Sequence, residues 1–474
     1  MAHFTWYGLW ENIGQRALPN RLSRILWRWM NAQRWFLEKH VVSGTVRVHN
    51  VFPVEVENQL VWWYLYESPT ADGRYYQLPL VLLPDAAICQ SKPIAQWKGA
   101  QAGYLYDAWS WPAFSRWFFD RLASDATPSD PDLQTWRNVS LNKVDRVQLH
   151  HSEQSNTSIQ LGDQYFMKAI RIVQSGVQPE EEMGQELTAR KFKHSIPLLA
   201  GASIAVQNGF ANVSLVSPLV PNQGNGWEWL LEELQKYSKP HDCMASLNLL
   251  GERTAELHQC LSLPTDNPSF STESYTQEQA AFRIEQLTLN LQNTVRILSH
   301  FRTTDQKTKV LVADFKQLAG CALLRPFNIP THTNLTIQRI HGDYHLGQVL
   351  RTDNDWLIID FEGEPLRSLA ERRSKDLQWR DVAGMLRSID YAINYSTMKN
   401  GTAVDAAIAQ QLSNAFLDGY QKAMDPKQQA AMIAWLPVLL LEKALYEIEY
   451  ELISRPDWLS VPLQGANQLL RAFS

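Results

Sequence analysis

At 474 residues, with 45% apolar and 20% charged residues, the chain is long enough for two or three domains around a large core and lacks the composition of disorder. Its 44 Lys and Arg against 49 Asp and Glu leave a net charge of −5 with no basic run, which excludes the electrostatics of nucleic-acid or polybasic membrane binding. Cys89, Cys243, Cys260 and Cys321 are scattered without a Cys-x-x-Cys spacing, and no stretch reaches the roughly 18 uninterrupted apolar residues of a membrane span, so neither a disulfide framework, a structural zinc nor a membrane anchor is expected.

In chain order, Leu22 to Phe36 has helical spacing, and Thr45 to Leu83 alternates as antiparallel strands with a turn at Ala71-Asp72-Gly73. A Trp-rich helix is expected from Trp109 to Leu122, followed by a linker over Ser124 to Pro131, which puts a domain boundary near residue 125. Three short strands follow at 145–149, 157–161 and 165–170, the last two joined by the hairpin signal Gly162-Asp163-Gln164. Pro179 and the acidic triplet Glu180-Glu181-Glu182 open a helix, with proline in the first turn and carboxylates where the dipole favours them. A strand over Ser214 to Pro221 leads into a connector, beyond which Thr254 to His258, Tyr275 to Phe301 and most of Asp381 to Tyr450 show the apolar spacing of helices. The 18 Trp, 16 Tyr and 17 Phe suit sugar stacking, but core filling accounts for most of them.

The chemistry is concentrated in Ile340-His341-Gly342-Asp343-Tyr344-His345-Leu346-Gly347-Gln348 and in Leu357-Ile358-Ile359-Asp360-Phe361-Glu362-Gly363. Asp343 and Gln348 reproduce the five-residue offset of a phosphotransferase catalytic loop, in which an aspartate receives the acceptor hydroxyl's proton and an amide downstream holds magnesium. Asp360, closing an apolar run, stands where a second metal-holding aspartate is needed. His341 and His345 at i, i+4 also fit a zinc pair, but Gly342 and Gly347 oppose a helix there and no third ligand is near in sequence. For the nucleotide, neither a Walker-type loop nor a Gly-x-Gly-x-x-Gly loop occurs. Lys168, ending an apolar strand, is the expected phosphate cation, with Glu182 as its partner and Glu186 in reserve. Ser155, Asn156 and Thr157 at a strand turn are the expected phosphate cover, though a plain polar hairpin reads as well. Val216 and Ser217 form the connector where an adenine edge would meet backbone groups.

These motifs, with Asp360-Phe361-Glu362-Gly363-Glu364-Pro365, Arg380-Asp381-Val382-Ala383-Gly384-Met385-Leu386-Arg387-Ser388 and Glu442-Lys443-Ala444-Leu445-Tyr446-Glu447-Ile448-Glu449-Tyr450-Glu451 leading to Arg455-Pro456-Asp457-Trp458, resemble the maltokinases, a branch of the aminoglycoside-phosphotransferase and choline-kinase-like group. The resemblance implies an α+β, bilobal protein-kinase-like fold with a β-rich cap domain (1–125), a strand-rich small lobe (126–221) and a helical large lobe (222–474). It implies ATP- and Mg2+-dependent phosphorylation of maltose at its anomeric hydroxyl for α-glucan synthesis, with Asp343 as base, Gln348 and Asp360 on magnesium, and Lys443, Tyr446 and Tyr450 on the sugar. His341 would shape the loop near the acceptor, and Asp381 would brace it. Any trehalose synthase partner would be a separate chain, and the location cytoplasmic. Two alternatives stand beside it: the same chemistry on glucosamine or another amino sugar, and an inactive kinase-like scaffold.

Overall fold

The computed structural model describes residues 2–473 apart from 15–17, 40, 42–43, 71–72, 87, 125–131, 151–155, 237–239, 325–334 and 401–403. It divides into two compact units, Met1–Thr188 with Ile196–Val220, and Ala189–Ser195 with Pro221–Ser474. The expected linker at 125–131 and the turn residues Ala71 and Asp72 lie outside the described residues.

The first unit carries two sheets. One is built from β1 (Ala2–Trp6), β2 (Val48–Val56), β3 (Gln59–Glu67), β4 (Arg74–Leu83), β5 (Ala95–Gly99) and β6 (Gly103–Asp107), in the order β1-β5-β6-β4-β3-β2. β4 is buried almost throughout, because both faces of this sheet are covered. On one face lies α1 (Asn20–Asn31), whose Leu22, Leu26 and Met30 meet Tyr64, Tyr76 and Leu80. The expected helix to Phe36 ends at Asn31, and Trp35 and Phe36 enter the same core from the turns that follow. The other face packs on α2 (Pro112–Ala123), where Trp63, Trp109, Phe114 and Phe118 meet edge to face at ring distances of 5.0–6.0 Å. Trp63, Trp97 and Trp109 are fully buried, so these rings fill core.

The second sheet joins β7 (Leu133–Arg137), β8 (Val147–His150), β9 (Thr157–Leu161), β10 (Tyr165–Ala169), β12 (Ala200–Val206) and β13 (Gly209–Pro218) in the order β7-β12-β13-β10-β9-β8. The chain leaves β10 into β11 (Ile172–Gln174), which pairs with β4 and so ties the two sheets together, before α3 (Pro179–Ala189). Buried polar groups secure that tie. Gln77 donates through its side-chain amide to the carbonyl of Val213 at 2.8 Å, accepts from the Trp63 indole at 3.0 Å, and donates through its backbone N–H to the Arg171 carbonyl at 3.0 Å. Arg171, 2% exposed, pairs with Asp107 and lies 5.4 Å from the Trp35 ring. Each side chain of this lock would be orphaned in a nonpolar interior without the others, which explains why the two stretches expected as separate domains form one compact unit.

The second unit is mainly helical. It comprises α4 (Gly226–Lys236), α5 (Pro240–Leu261), the short pair β14 (Glu273–Ser274) and β15 (Thr336–Ile337), α6 (Gln277–His300), α7 (Gln306–Leu323), the hairpin β16 (Val349–Arg351) and β17 (Trp356–Ile358), α8 (Leu369–Arg372), α9 (Trp379–Asn400), α10 (Ala406–Gln421), α11 (Pro426–Ser454) and α12 (Ser460–Phe473). Reciprocal capping boxes start α6 at Thr276 with Gln279 and α11 at Asp425 with Gln428, satisfying orphan amides in each first turn. The chain is thus α+β, with most strands in the first unit and most helices in the second. No described helix is long and apolar enough to cross a membrane.

Candidate active site

The loop 341–348 precedes β16, and its backbone is held from three sides. Asp381, in the first turn of α9 and 1% exposed, accepts from the amides of His341 at 2.8 Å and Gly342 at 2.9 Å and from the His258 ring at 3.1 Å. His258, on α5, is fixed in turn by the Tyr420 hydroxyl at 2.9 Å, and Thr254 one turn earlier meets the Tyr344 hydroxyl at 2.9 Å. Burial pushes the Asp381 carboxyl up, but His258 and the Gly342 amide hold it below the usual carboxylate range, so it is an anion at neutral pH. Gly384 lets α9 approach this closely: a Cβ there would sit 2.5 Å from the Tyr344 carbonyl oxygen.

The histidines are used inside the loop. His341 is 1% exposed, its Nε2 lies 2.9 Å from the Ile359 carbonyl oxygen, and its ring lies between Tyr344 and Phe361. It was expected to shape the loop near the acceptor, and here its ring is committed to the loop's backbone. His345 accepts from the Gly347 amide through Nδ1 at 3.0 Å, which caps the turn at Leu346–Gln348 and leaves Nε2 3.9 Å from Asp343. Burial, opposed by the Asp343 carboxylate, lowers its pKa, so it is neutral near pH 7.

The loop and the second motif are joined by a hydrogen bond from the Ile359 amide to the Gln348 carbonyl at 3.0 Å, which ties the residue before Asp360 to the end of the loop. Asp360 has φ +66°, a conformation that non-glycine residues seldom adopt and that is held by surrounding structure. The amide oxygen of Gln348 and the carboxylate of Asp360 are hard oxygen donors of the kind magnesium takes, so these residue types fit that ion.

From α11, Lys443 reaches into the loop. Its Nζ lies 3.0 Å from Asp343 Oδ1 and 2.8 Å from Glu364 Oε1. Glu364, 2% exposed, also accepts from Arg367 at 2.5 Å and Arg380 at 2.6 Å. Burial pushes the Glu364 carboxyl up, but Lys443, Arg380 and Arg367 hold it far below the usual carboxylate range; burial lowers Lys443, but Glu364 and Asp343 raise it well above the usual ammonium value. Both are therefore charged at neutral pH. Lys443 was expected on the sugar, and two carboxylates take it here because a buried ammonium needs counter-ions. One turn on, the Tyr446 ring lies 4.8 Å from Nζ and stacks on Tyr450 at 6.4 Å, so α11 presents all three on one face.

In the first unit, Lys168 on β10 meets Glu180 at 2.7 Å, two residues before the expected Glu182. The next carboxylate, Glu181, bonds the Trp136 indole and the Asn212 amide, the latter at 2.7 Å, so successive residues of the helix start serve different neighbours. Asn156 and Thr157, expected as phosphate cover, accept from the Arg171 amide at 3.1 Å and guanidinium at 2.7 Å, which ties them to the buried lock. Ser155 lies outside the described residues. Val216 and Ser217 are strand residues of β13 opposite Met167 and Phe166, and the Val216 carbonyl accepts from Leu199 at 2.8 Å, so it is spent on the sheet. Sequence reasoning missed Glu364, Arg367 and His258 as parts of the site, although Glu364 stands inside a motif already singled out and could have been weighed for its nearness to Asp360.

No family model matches the chain. It is 25% identical over 328 residues to a glucosamine kinase of Mycolicibacterium smegmatis (strain ATCC 700084 / mc(2)155), covering 65% of this chain and 76% of that one. It is 23% identical over 337 residues to a glucosamine kinase of Streptacidiphilus jiangxiensis, covering 67% and 72%. A solved glucosamine kinase (crystal form B) superposes with a TM-score of 0.69 at 17% identity, over 98% of this chain and all of that one. The chain shares the kinase-like fold of glucosamine kinase. A second such structure, in complex with glucosamine, ADP and inorganic phosphate, gives 0.64 at 17% identity over the same 98%. Both curated relatives named here are glucosamine kinases, where the resemblance in sequence had implied a maltokinase.

Proposed function

We propose that this protein is an ATP-dependent sugar kinase in which Asp343 receives the proton of the acceptor hydroxyl as its oxygen attacks the γ-phosphorus. The new O–P bond forms as the bond to the β-phosphate oxygen breaks, and ADP leaves. The observation that carries the reading is the braced loop, with Asp343 at its tip and the Ile359 to Gln348 bond tying the residue before Asp360 to its end. Magnesium, held by Gln348 and Asp360, would supply charge neutralisation for the phosphates. Lys168, fixed by Glu180, is the cation assigned to the nucleotide. We place the enzyme in the cytoplasm, in keeping with the scattered cysteines.

The acceptor that the comparisons support is glucosamine or a like amino sugar, since both curated relatives carry that activity in their names. A second reading, maltose phosphorylated at its anomeric hydroxyl, is favoured by charge. Asp343 and Glu364 already meet Lys443, Arg367 and Arg380, so this cluster holds two carboxylates against three cations and offers little to a substrate ammonium. A coupled assay of ADP release with glucosamine, maltose and glucose at equal concentration separates the two. Turnover confined to glucosamine supports the first and turnover confined to maltose the second. No ADP release with any sugar refutes the kinase reading and revives the scaffold.

A further inference from the structure

Three cations converge on Glu364, yet two guanidiniums already satisfy its charge. A third cation is repelled by those two unless another anion shares it, and Asp343 is that anion. An ammonium has three N–H donors, and the two carboxylates take two of them. The outcome at Asp343 is asymmetric: Oδ1 is taken by Lys443 at 3.0 Å, while among the described residues Oδ2 faces only the His345 ring at 3.9 Å, beyond hydrogen-bond range. A carboxylate side chain otherwise presents two equivalent oxygens by rotation about its last torsion, which is broad and roughly two-fold.

We infer that Glu364 is a positioning residue that acts through Lys443: it anchors the ammonium that pins Oδ1 of Asp343 and so reserves Oδ2 for the acceptor hydroxyl. This rests on the sugar-kinase reading, and it assigns Lys443 a task at the base in addition to any contact with the sugar. Glu364 spends its own oxygens on Lys443, Arg367 and Arg380, so its task is to hold the lysine.

The test is a double-mutant cycle of Glu364→Gln and Lys443→Met, read as kcat with the preferred sugar and KM for ATP, together with competitive acylation of lysines in the wild type and in Glu364→Gln. Each single change should lower kcat about 10- to 100-fold, as misplacement of a reacting group does, with KM for ATP within about two-fold. The double variant should fall within about three-fold of the worse single, because residues acting as one unit do not multiply. Acylation of Lys443 should be at least about ten-fold slower than that of the exposed Lys427 and should rise several-fold in Glu364→Gln. Effects that multiply, a loss falling on KM for ATP, or unchanged labelling in Glu364→Gln would overturn the inference. Should Glu364→Gln not fold, Glu364→Asp, which withdraws the charge from Nζ by one methylene, carries the same expectations. Labelling is independent of turnover, so a wild type inactive on every sugar would sink the kinase reading while Lys443 reactivity still decided whether Glu364 anchors it.

Discussion

Replacing Asp381 with Asn is the sharpest perturbation of the site that leaves every group proposed to touch substrate in place. Oδ2 of Asp381 accepts from the His341 amide and the His258 ring, and Oδ1 accepts from the Gly342 amide. Asparagine keeps the shape but has one oxygen, so its NH2 must face a donor on one side. If the amide flips to the better arrangement, the Gly342 amide loses a charge-assisted bond and stands unsatisfied beside a side chain that is 1% exposed. Hydrogen bonds to charged groups are worth about 1.5–3 kcal/mol and an orphaned buried donor costs about 1–3 kcal/mol, so a loss of roughly 2–4 kcal/mol is expected after partial relaxation. For a unit of this size that corresponds to a fall in melting temperature of about 5–15 °C. Because the loop carrying Asp343 loses its brace, turnover should fall by about 100-fold or more even well below the melting temperature, with nucleotide affinity nearly unchanged. Differential scanning fluorimetry and the coupled ADP assay measure both. An Asn variant that melts within about one degree of wild type and turns over within two-fold would show that the three short contacts do not hold the loop.

Asp343→Asn should leave nucleotide binding within a few-fold while phosphoryl transfer falls by about three orders of magnitude, measured by nucleotide titration alongside ADP release; wild-type turnover would remove Asp343 from the chemistry. Glu180→Gln should raise KM for ATP about ten-fold by freeing Lys168, and Glu182→Gln should raise it less; the reverse ranking would restore the partner expected from sequence. Glu364 has a folded-state pKa below its unfolded value of about 4.3, so its stabilisation is present above that value and is lost as pH falls through the folded pKa. The destabilisation by Glu364→Gln should therefore be largest near pH 7 and shrink as pH drops below about 4; denaturant melts giving one penalty at both pH values would contradict the charged pairing.

Much of the site was legible before any coordinates. The offset between Asp343 and Gln348 and the apolar run closing at Asp360 are local patterns, and a loop with its following hairpin is a local structure, so the backbone bond between Ile359 and Gln348 follows from neighbours in sequence. The brace role of Asp381 was implied by the resemblance, and the structure shows its carboxylate accepting from the His341 and Gly342 amides. Partner choice was another matter. In the acidic triplet any carboxylate could have met Lys168, and only the direction in which α3 leaves its preceding turn gives that task to Glu180 and sends Glu181 to Trp136 and Asn212.

Sequence alone pointed to an α+β chain, to two motifs around Asp343 and Asp360 as the candidate site, and to where most strands and helices fall, because periodicity, turn residues and short-range spacing are properties of consecutive residues. Tertiary structure decided that Asn156 and Thr157 serve a buried arginine, that the cap and small-lobe stretches share one compact unit, and that Lys443 lies between Asp343 and Glu364. Each of these turns on which of several polar partners is nearest once apolar surface has been buried. A buried charge takes whatever counter-ion packing delivers, and packing brings together residues 79 and 100 positions apart that no local pattern connects.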